Sequence, residues 1–343
     1  GKPKCIVHGA GGSLIQHLKE HKLHCNIQKN DSVMYFTTCG WMMWNWLVSV
    51  LACEARIVLY DGSPFYPSKK ILFDIIDREN ITFFGTGAKY IDTLRNEKIN
   101  IKFSNKLTKL KTIASTGSPL SQESFKYIYN NIKNNVHLTS ISGGTDIVSC
   151  FVLGNPNQNV YPGEIQVKGL GMDVDIFDNY GRSIKSNKGE LVCKTPFPSK
   201  PLYFWNDKNK ILYKKSYFSK YKNIWRHGDY AEFTKNNGII IHGRSDTTLN
   251  SGGVRIGTAE IYRTVENINS VNECLVTELI LKHDTNIVMF VKLNNGIKLN
   301  KNLSKRIINK IRKELSPRHV PKIIIQVNDI PKTKSGKIVE LAI

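Results

Sequence analysis

The chain is 343 residues long, 41% hydrophobic and 22% charged, ample for two domains and a sizeable core. Its formal charge of +21 does not read as a nucleic-acid surface. The lysines are dispersed among asparagines, with no arginine-rich arm, zinc-finger spacing or RNA-binding aromatic signature, so solvated basic faces suited to small polyanions such as nucleotides remain.

In chain order, GKPK (1–4) looks like the middle of a motif, without Met or a signal-peptide pattern, which predicts further chain upstream. The runs VMYFTT, ARIVLY, ITFFGT, KTIAST and VHLTSIS are β-branched and aromatic and predict buried strands. Between them, KKILFDIIDRE and SQESFKYIYNNI have helical spacing, the second capped by Ser121. Such alternation implies a parallel sheet whose loops gather at the carboxyl ends of its strands. The longest apolar run, WMMWNWLVSVLA, is too short to span a bilayer and carries Asn45. Its Trp41, Met42, Met43, Trp44 and Trp46 are expected in the core.

From about residue 150, GEIQVKGLGMDVDIFDNYGRSI and GELVCKTP predict a small antiparallel unit of short strands split by Gly and Asn-Tyr-Gly turns. A third region opens at GRSDTTLNSGGVRIGTAEIYRTVE. It continues through a helix, the strands CLVTELIL and NIVMFVKL, the helix KNLSKRIINKIRKEL and the strand KIIIQV. In the last helix, Leu303, Ile307, Ile311 and Leu315 share one face. The expected fold is thus α/β, a parallel sheet layer (1–150) with a β-rich subdomain (151–245), followed by a small α+β domain (246–343). Seven cysteines without paired spacing suggest a reduced interior.

Several stretches carry chemistry ambiguously. The glycines of NSGGVRIGTAEI suit close backbone approach to a ligand or a plain turn with a helix cap. Asp229, in HGDYAEF, is a turn aspartate or a carboxylate that grips two ribose hydroxyls. Arg244, in HGRSD, pairs with a carboxylate or reaches a phosphate. DIPKTKSGKI sets Lys337 on a loop behind Pro331, as a solvated residue or as one delivered to a phosphate, with Lys332 and Lys334 as solvated neighbours. The Gly9–Gly12 run suits close helix packing, and His8 and His227 receive no role.

The order of these words narrows the choice. An acidic turn, Gly-Arg-Ser-Asp, Gly-Gly-Val-Arg-Ile-Gly and a terminal Lys-Ser-Gly-Lys together resemble the adenylate-forming acyl-CoA synthetases, but only their C-terminal portion. SISGGTD (140–146) resembles that superfamily's core motif and GKPK the tail of its phosphate loop. Within it, KCIVHGAGG, HLKEH, TTCGWMMWNWLVS, LYDGSP, FWND, HGDY, TLNSGGVRIGTAEIY and LSPRHVP are similar to the acetoacetyl-CoA synthetase family.

The resemblance implies a ligase that uses ATP, Mg²⁺ and CoA on acetoacetate in the cytosol, and a small C-terminal domain that is mobile. It implies that Lys337 bridges the attacking carboxylate and the α-phosphate while Thr145 bonds that phosphate. It places Asp146 on Mg²⁺, where most relatives carry Glu. Gly117, Ser118 and Pro119 resemble the adenine wall, Asp229 the ribose holder with Arg244 beside it, and Arg255 an arginine near the phosphates. Asp246 matches the hinge, and Gly253 and Arg312 match positions along the CoA path. Ser142 and Gly143 stand where acetyl-CoA synthetases carry a bulky Trp pair, leaving room for a longer acid. Acetate, propionate or a hydroxybutyrate as the acid, and a fragment that only binds adenine nucleotide, stay open as alternatives.

Overall fold

A computed structural model describes residues 4–251, 254–281, 284–333 and 338–343. The chain forms two compact units, Gly1–His227 with Glu232–Ile240, and Gly228–Ala231 with Ile241–Ile343.

Unit one opens with β1 (Ile6–Val7) and α1 (Ala10–Lys19), which runs into a wide π turn over Glu20–His24. There follow β2 (Ser32–Tyr35), α2 (Met43–Val48), β3 (Arg56–Val58), α3 (Ile71–Arg78), β4 (Phe83–Gly87), α4 (Ala88–Asn96), β5 (Thr112–Thr116), α5 (Gln122–Tyr127) and β6 (His137–Ser140). The five strands form an all-parallel sheet in the order β3-β2-β4-β5-β6. Successive strand residues point to opposite faces, and both faces are covered. Met34, Phe84, Ile113 and Leu138 pack with α3, α4 and α5. Val33, Tyr35, Phe83 and Ala114 pack with α2. Each large apolar side chain fully buried there contributes roughly 1.5–3 kcal/mol. The tryptophan-rich block meets its expectation in part: Met43 and Trp46 are buried, while Trp41 and Met42 are partly covered. Ser121 caps α5, its Oγ accepting from the Ser124 amide at 3.2 Å.

After β6 the chain turns into antiparallel strands β7 (Ser142–Gly144), β8 (Ser149–Leu153) and β9 (Val167–Lys168), then β10 (Val174–Phe177) and β11 (Gly189–Cys193). β12 (Tyr203–Phe204) pairs back with β1, setting Phe204 opposite Ile6. The unit continues through α6 (Ile211–Tyr217) into β13 (Trp225–Phe233) and β14 (Ile239–Arg244), long strands through which the chain passes between units. The glycine run at the start of α1 is tight at Gly12, where an added Cβ would lie 2.2 Å from the Pro198 carbonyl oxygen.

Unit two continues with the hairpin β15 (Leu249–Ser251) and β16 (Val254–Ile256), then α7 (Thr258–Glu266), β17 (Val271–Leu281), β18 (Asp284–Leu293), α8 (Lys301–Glu314) and β19 (Ile323–Gln326). β18 pairs antiparallel with β17 and parallel with β19. The face carrying Cys274, Val276, Met289 and Val291 packs on Ile261 and Val265 of α7 and on Leu303, Ile307 and Ile311 of α8, with Leu315 partly buried beside them. Asn300 starts α8 by accepting from the Leu303 amide at 2.9 Å. Among the described residues, no helix is long and apolar enough to cross a membrane.

Candidate functional site

In a parallel sheet, ligands gather outside the carboxyl ends of the strands, and the motif residues of unit one lie there. Gly117, Ser118 and Pro119 leave β5, and the SISGGTD stretch leaves the neighbouring β6. Thr116 ties the two exits, its Oγ1 donating to the Ile141 carbonyl at 2.7 Å. Gly117 takes a left-handed φ of 94° with Trp41 close behind it, a backbone that a side chain would strain. Gly117 and Ser118 are exposed and Pro119 is half-buried.

Ser142 and Gly143 pair antiparallel with β8. The open direction at Gly143 does not face a cavity: a Cβ there would lie 2.1 Å from the Ser149 carbonyl oxygen and 2.5 Å from Cys150 Cα. The glycine is demanded by close approach of two backbones. Gly144 packs against the ring of His227, which meets Phe151 edge-on at 4.7 Å. Thr145 is exposed, Asp146 is half-buried, and Val148 closes their turn with φ 47° and its amide 3.2 Å from the Thr145 carbonyl oxygen. The Tyr217 hydroxyl donates to Asp146 Oδ1, and its ring stacks on Trp225 at 3.8 Å and 14°. His8 lies by the same turn. Burial holds its imidazole below the ordinary value, opposed by the Ser199 backbone and by Asp146.

In unit two, β13 and β14 bring Asp229, Arg244 and Asp246 together. Arg244 reaches Asp229 Oδ1 at 3.3 Å with Nη1 and Asp246 Oδ1 at 3.4 Å with Nε. Gly228, at φ 86°, leaves the space: a Cβ would meet Arg244 Nη2 at 2.6 Å. Arg312 is exposed in the last turn of α8. Arg255 lies in β16, its backbone opposite Asn250 and its side chain outside what the structure describes. Gly253, Lys334 and Lys337 lie outside the described residues. Lys332 is exposed, as expected, and its Nζ also pairs with Glu273 at 2.7 Å.

Residues that motif reading passes over are also assembled. Tyr217 is one. A buried polar group on α1 and its π turn is another: Gln16, His17, Glu20, His21 and His24 are buried, while Leu14, Ile15 and Leu23 are 42%, 62% and 57% exposed. A polar stripe at helical spacing, 16-17-20-21-24, is the signal in the sequence, and standard amphipathic reasoning inverts it.

Residues 264–337 match the AMP-binding enzyme C-terminal domain. Over its full length the chain is 54% identical to the acetoacetyl-coenzyme A synthetase of Rhizobium meliloti (strain 1021) and 49% identical to the acetoacetyl-CoA synthetase of Gallus gallus. It spans about half the length of these curated relatives, 53% and 52%. Among solved structures, acetoacetyl-CoA synthetase from Streptomyces lividans superposes with a TM-score of 0.94 at 40% identity, covering 99% of this chain and 52% of that one. The anthranilate CoA ligase AuaEII, at 18% identity and a TM-score of 0.83 over 98% of this chain and 64% of its own, shares the fold. Over its whole length the chain is similar to acetoacetyl-CoA synthetases, and it corresponds to about half of such a protein.

Proposed function

We propose that the chain is part of an ATP-dependent acid–thiol ligase that forms acetoacetyl-CoA from acetoacetate and CoA through an acetoacetyl-adenylate, releasing AMP and pyrophosphate. The observation that carries this reading is similarity, over the whole of this chain, to about half of the acetoacetyl-CoA synthetases of a bacterium and a vertebrate, at 54% and 49% identity. A cytosolic location goes with it, in keeping with seven free cysteines.

In the first half-reaction a carboxylate oxygen of the acid attacks the α-phosphorus of ATP and pyrophosphate departs. Both reactants are anions, so neutralisation and positioning dominate. Lys337 bridges them as a compact ammonium with several donors, and Thr145 donates its hydroxyl to the α-phosphate. Gly117, Ser118 and Pro119 wall the adenine. Asp229 accepts from the ribose hydroxyls with Arg244 beside it, and Arg255 lies near the phosphates. Ser142 borders the four-carbon keto acid, whereas Gly143 serves the close approach of the β7 and β8 backbones.

Asp146 is the residue to hold Mg²⁺. One of its oxygens is taken by Tyr217, and no cluster of three or more His, Cys, Asp or Glu able to bind a metal occurs among the described residues. That donor set suits an ion carried by the nucleotide's own phosphates and steadied by one carboxylate. When bound, the ion supplies neutralisation of phosphate charge. In the second half-reaction the CoA thiolate attacks the acyl carbonyl and AMP leaves. Rotation at Asp246 withdraws Lys337, and Gly253 and Arg312 line the CoA path.

The test is pyrophosphate release by the complete protein with acetoacetate, acetate, propionate and 3-hydroxybutyrate. Acetoacetate is expected to give the highest kcat/KM. A preference for acetate overturns the acid assignment, and no release with any acid overturns the ligase. For residues 1–343 in isolation, the half-length match favours a second reading, adenine-nucleotide binding without turnover.

A further inference from the structure

The buried side of α1 faces the hairpin that carries Thr145 and Asp146. His17 Nε2 lies 2.5 Å from the Val148 carbonyl oxygen, and its Nδ1 lies 2.9 Å from Ser49 Oγ. The same hydroxyl is 2.8 Å from His21 Nε2 and 2.7 Å from the Trp46 carbonyl oxygen. Proton counting orders this chain. A carbonyl only accepts, so His17 Nε2 carries hydrogen and donates to Val148. Burial holds the His21 imidazole well below its ordinary value, and its Nδ1 is enclosed without a partner, so its hydrogen sits on Nε2 and goes to Ser49. The Trp46 carbonyl likewise only accepts, so the Ser49 hydrogen goes there and Ser49 Oγ fixes the two imidazoles from between them.

The acceptor is unusual. Val148 is β-branched yet holds φ 47°, a left-handed backbone that costs such a residue most. It ends the Thr145–Ile147 turn and precedes Ser149, whose hydroxyl donates to the wholly buried Glu20 carboxylate. Glu20 also accepts from Gln16 Nε2 at 3.0 Å and Trp46 Nε1 at 2.8 Å. The hairpin is therefore gripped by α1 and its π turn at two successive residues, one through its carbonyl and one through its side chain.

We propose that His17 is a positioning residue, whose Nε2–H, oriented by Ser49 and His21, holds the Val148 carbonyl and so keeps the Thr145–Asp146 turn in the shape the nucleotide phosphates require. The inference rests on the ligase reading for its kinetic part alone.

Two amides separate the ring's two functions. Glutamine places a donor near the position of Nε2, whereas asparagine reaches only the position of Nδ1. In the complete protein, His17→Asn and His17→Ala are expected to slow adenylate formation, or raise the KM for ATP, by about tenfold or more. Thioester formation from supplied acetoacetyl-adenylate is expected to change by less than about threefold, and His17→Gln to restore most of the loss. Hydrogen exchange of the Val148 amide gives a readout independent of catalysis: protection falls in His17→Asn and His17→Ala and is kept in His17→Gln. Unchanged protection in His17→Asn, or His17→Gln as impaired as His17→Asn, overturns the proposal. A wild-type protein that makes no adenylate defeats the ligase reading instead and leaves the exchange experiment decisive.

Discussion

Arg244 holds one guanidinium nitrogen 3.3 Å from Asp229, and the pair is lopsided: the aspartate side chain is 10% exposed and the arginine 48%. Solvent weakens such a contact, so its stability value is small, about 0–1 kcal/mol. Arg244→Ala is accordingly expected to lower the urea midpoint only slightly. On the proposed ribose-binding role, Asp229→Ala is expected to raise the KM for ATP by about tenfold or more. An unchanged KM for Asp229→Ala removes Asp229 from the nucleotide site.

Gly143→Ala tests why that glycine is there. With its Cβ 2.1 Å from the Ser149 carbonyl oxygen, the hairpin must move apart. The expected cost is about 1–3 kcal/mol by chemical denaturation, typical of overpacking against an unyielding neighbour. A variant as stable as the parent shows that β7 and β8 separate easily.

Lys337→Ala in the complete protein is expected to abolish pyrophosphate release while largely sparing thioester formation from supplied acetoacetyl-adenylate. Equal loss in both half-reactions removes the case for a domain that delivers the lysine to one step and withdraws it for the other.

Acid sensitivity follows from the histidines. Burial lowers the pKa of His8, His21, His24 and His137. For a depressed histidine the unfolded chain binds the proton more readily, so stability is complete above the unfolded value of 6.5 and falls as pH drops below it. Wholly buried His21 is expected to add a slope of about 1.4 kcal/mol per pH unit in that range. Denaturant midpoints at pH 7.5, 6.5 and 5.5 check this, and His21→Gln is expected to flatten the acid limb. A pH-independent midpoint contradicts it.

Much of the fold is legible in the residues themselves. The runs around Val33, Phe83, Ile113 and Leu138 alternate between two buried faces and become the central strands, while Leu303, Ile307 and Ile311 line one side of a helix as their spacing demands. The Gly117 turn, the exit of β6 and the Asp229–Arg244 pair are local words whose types announce them. Tyr217 was not readable: it meets Asp146 across 71 positions of chain, and nothing near either residue specifies the other.

The sequence by itself determined the alternation of strands and helices, the dispersed positive charge and the order of the motif words, because each depends on side chains a few positions apart. Only the tertiary structure decided that α1 and its π turn point His17 and Glu20 inward and Ile15 outward, and that Val148 keeps a left-handed backbone. Apolar periodicity tells which groups water rejects. A polar stripe goes inside only when distant partners meet its hydrogen bonds, as Ser149 does for Glu20 from 129 residues away.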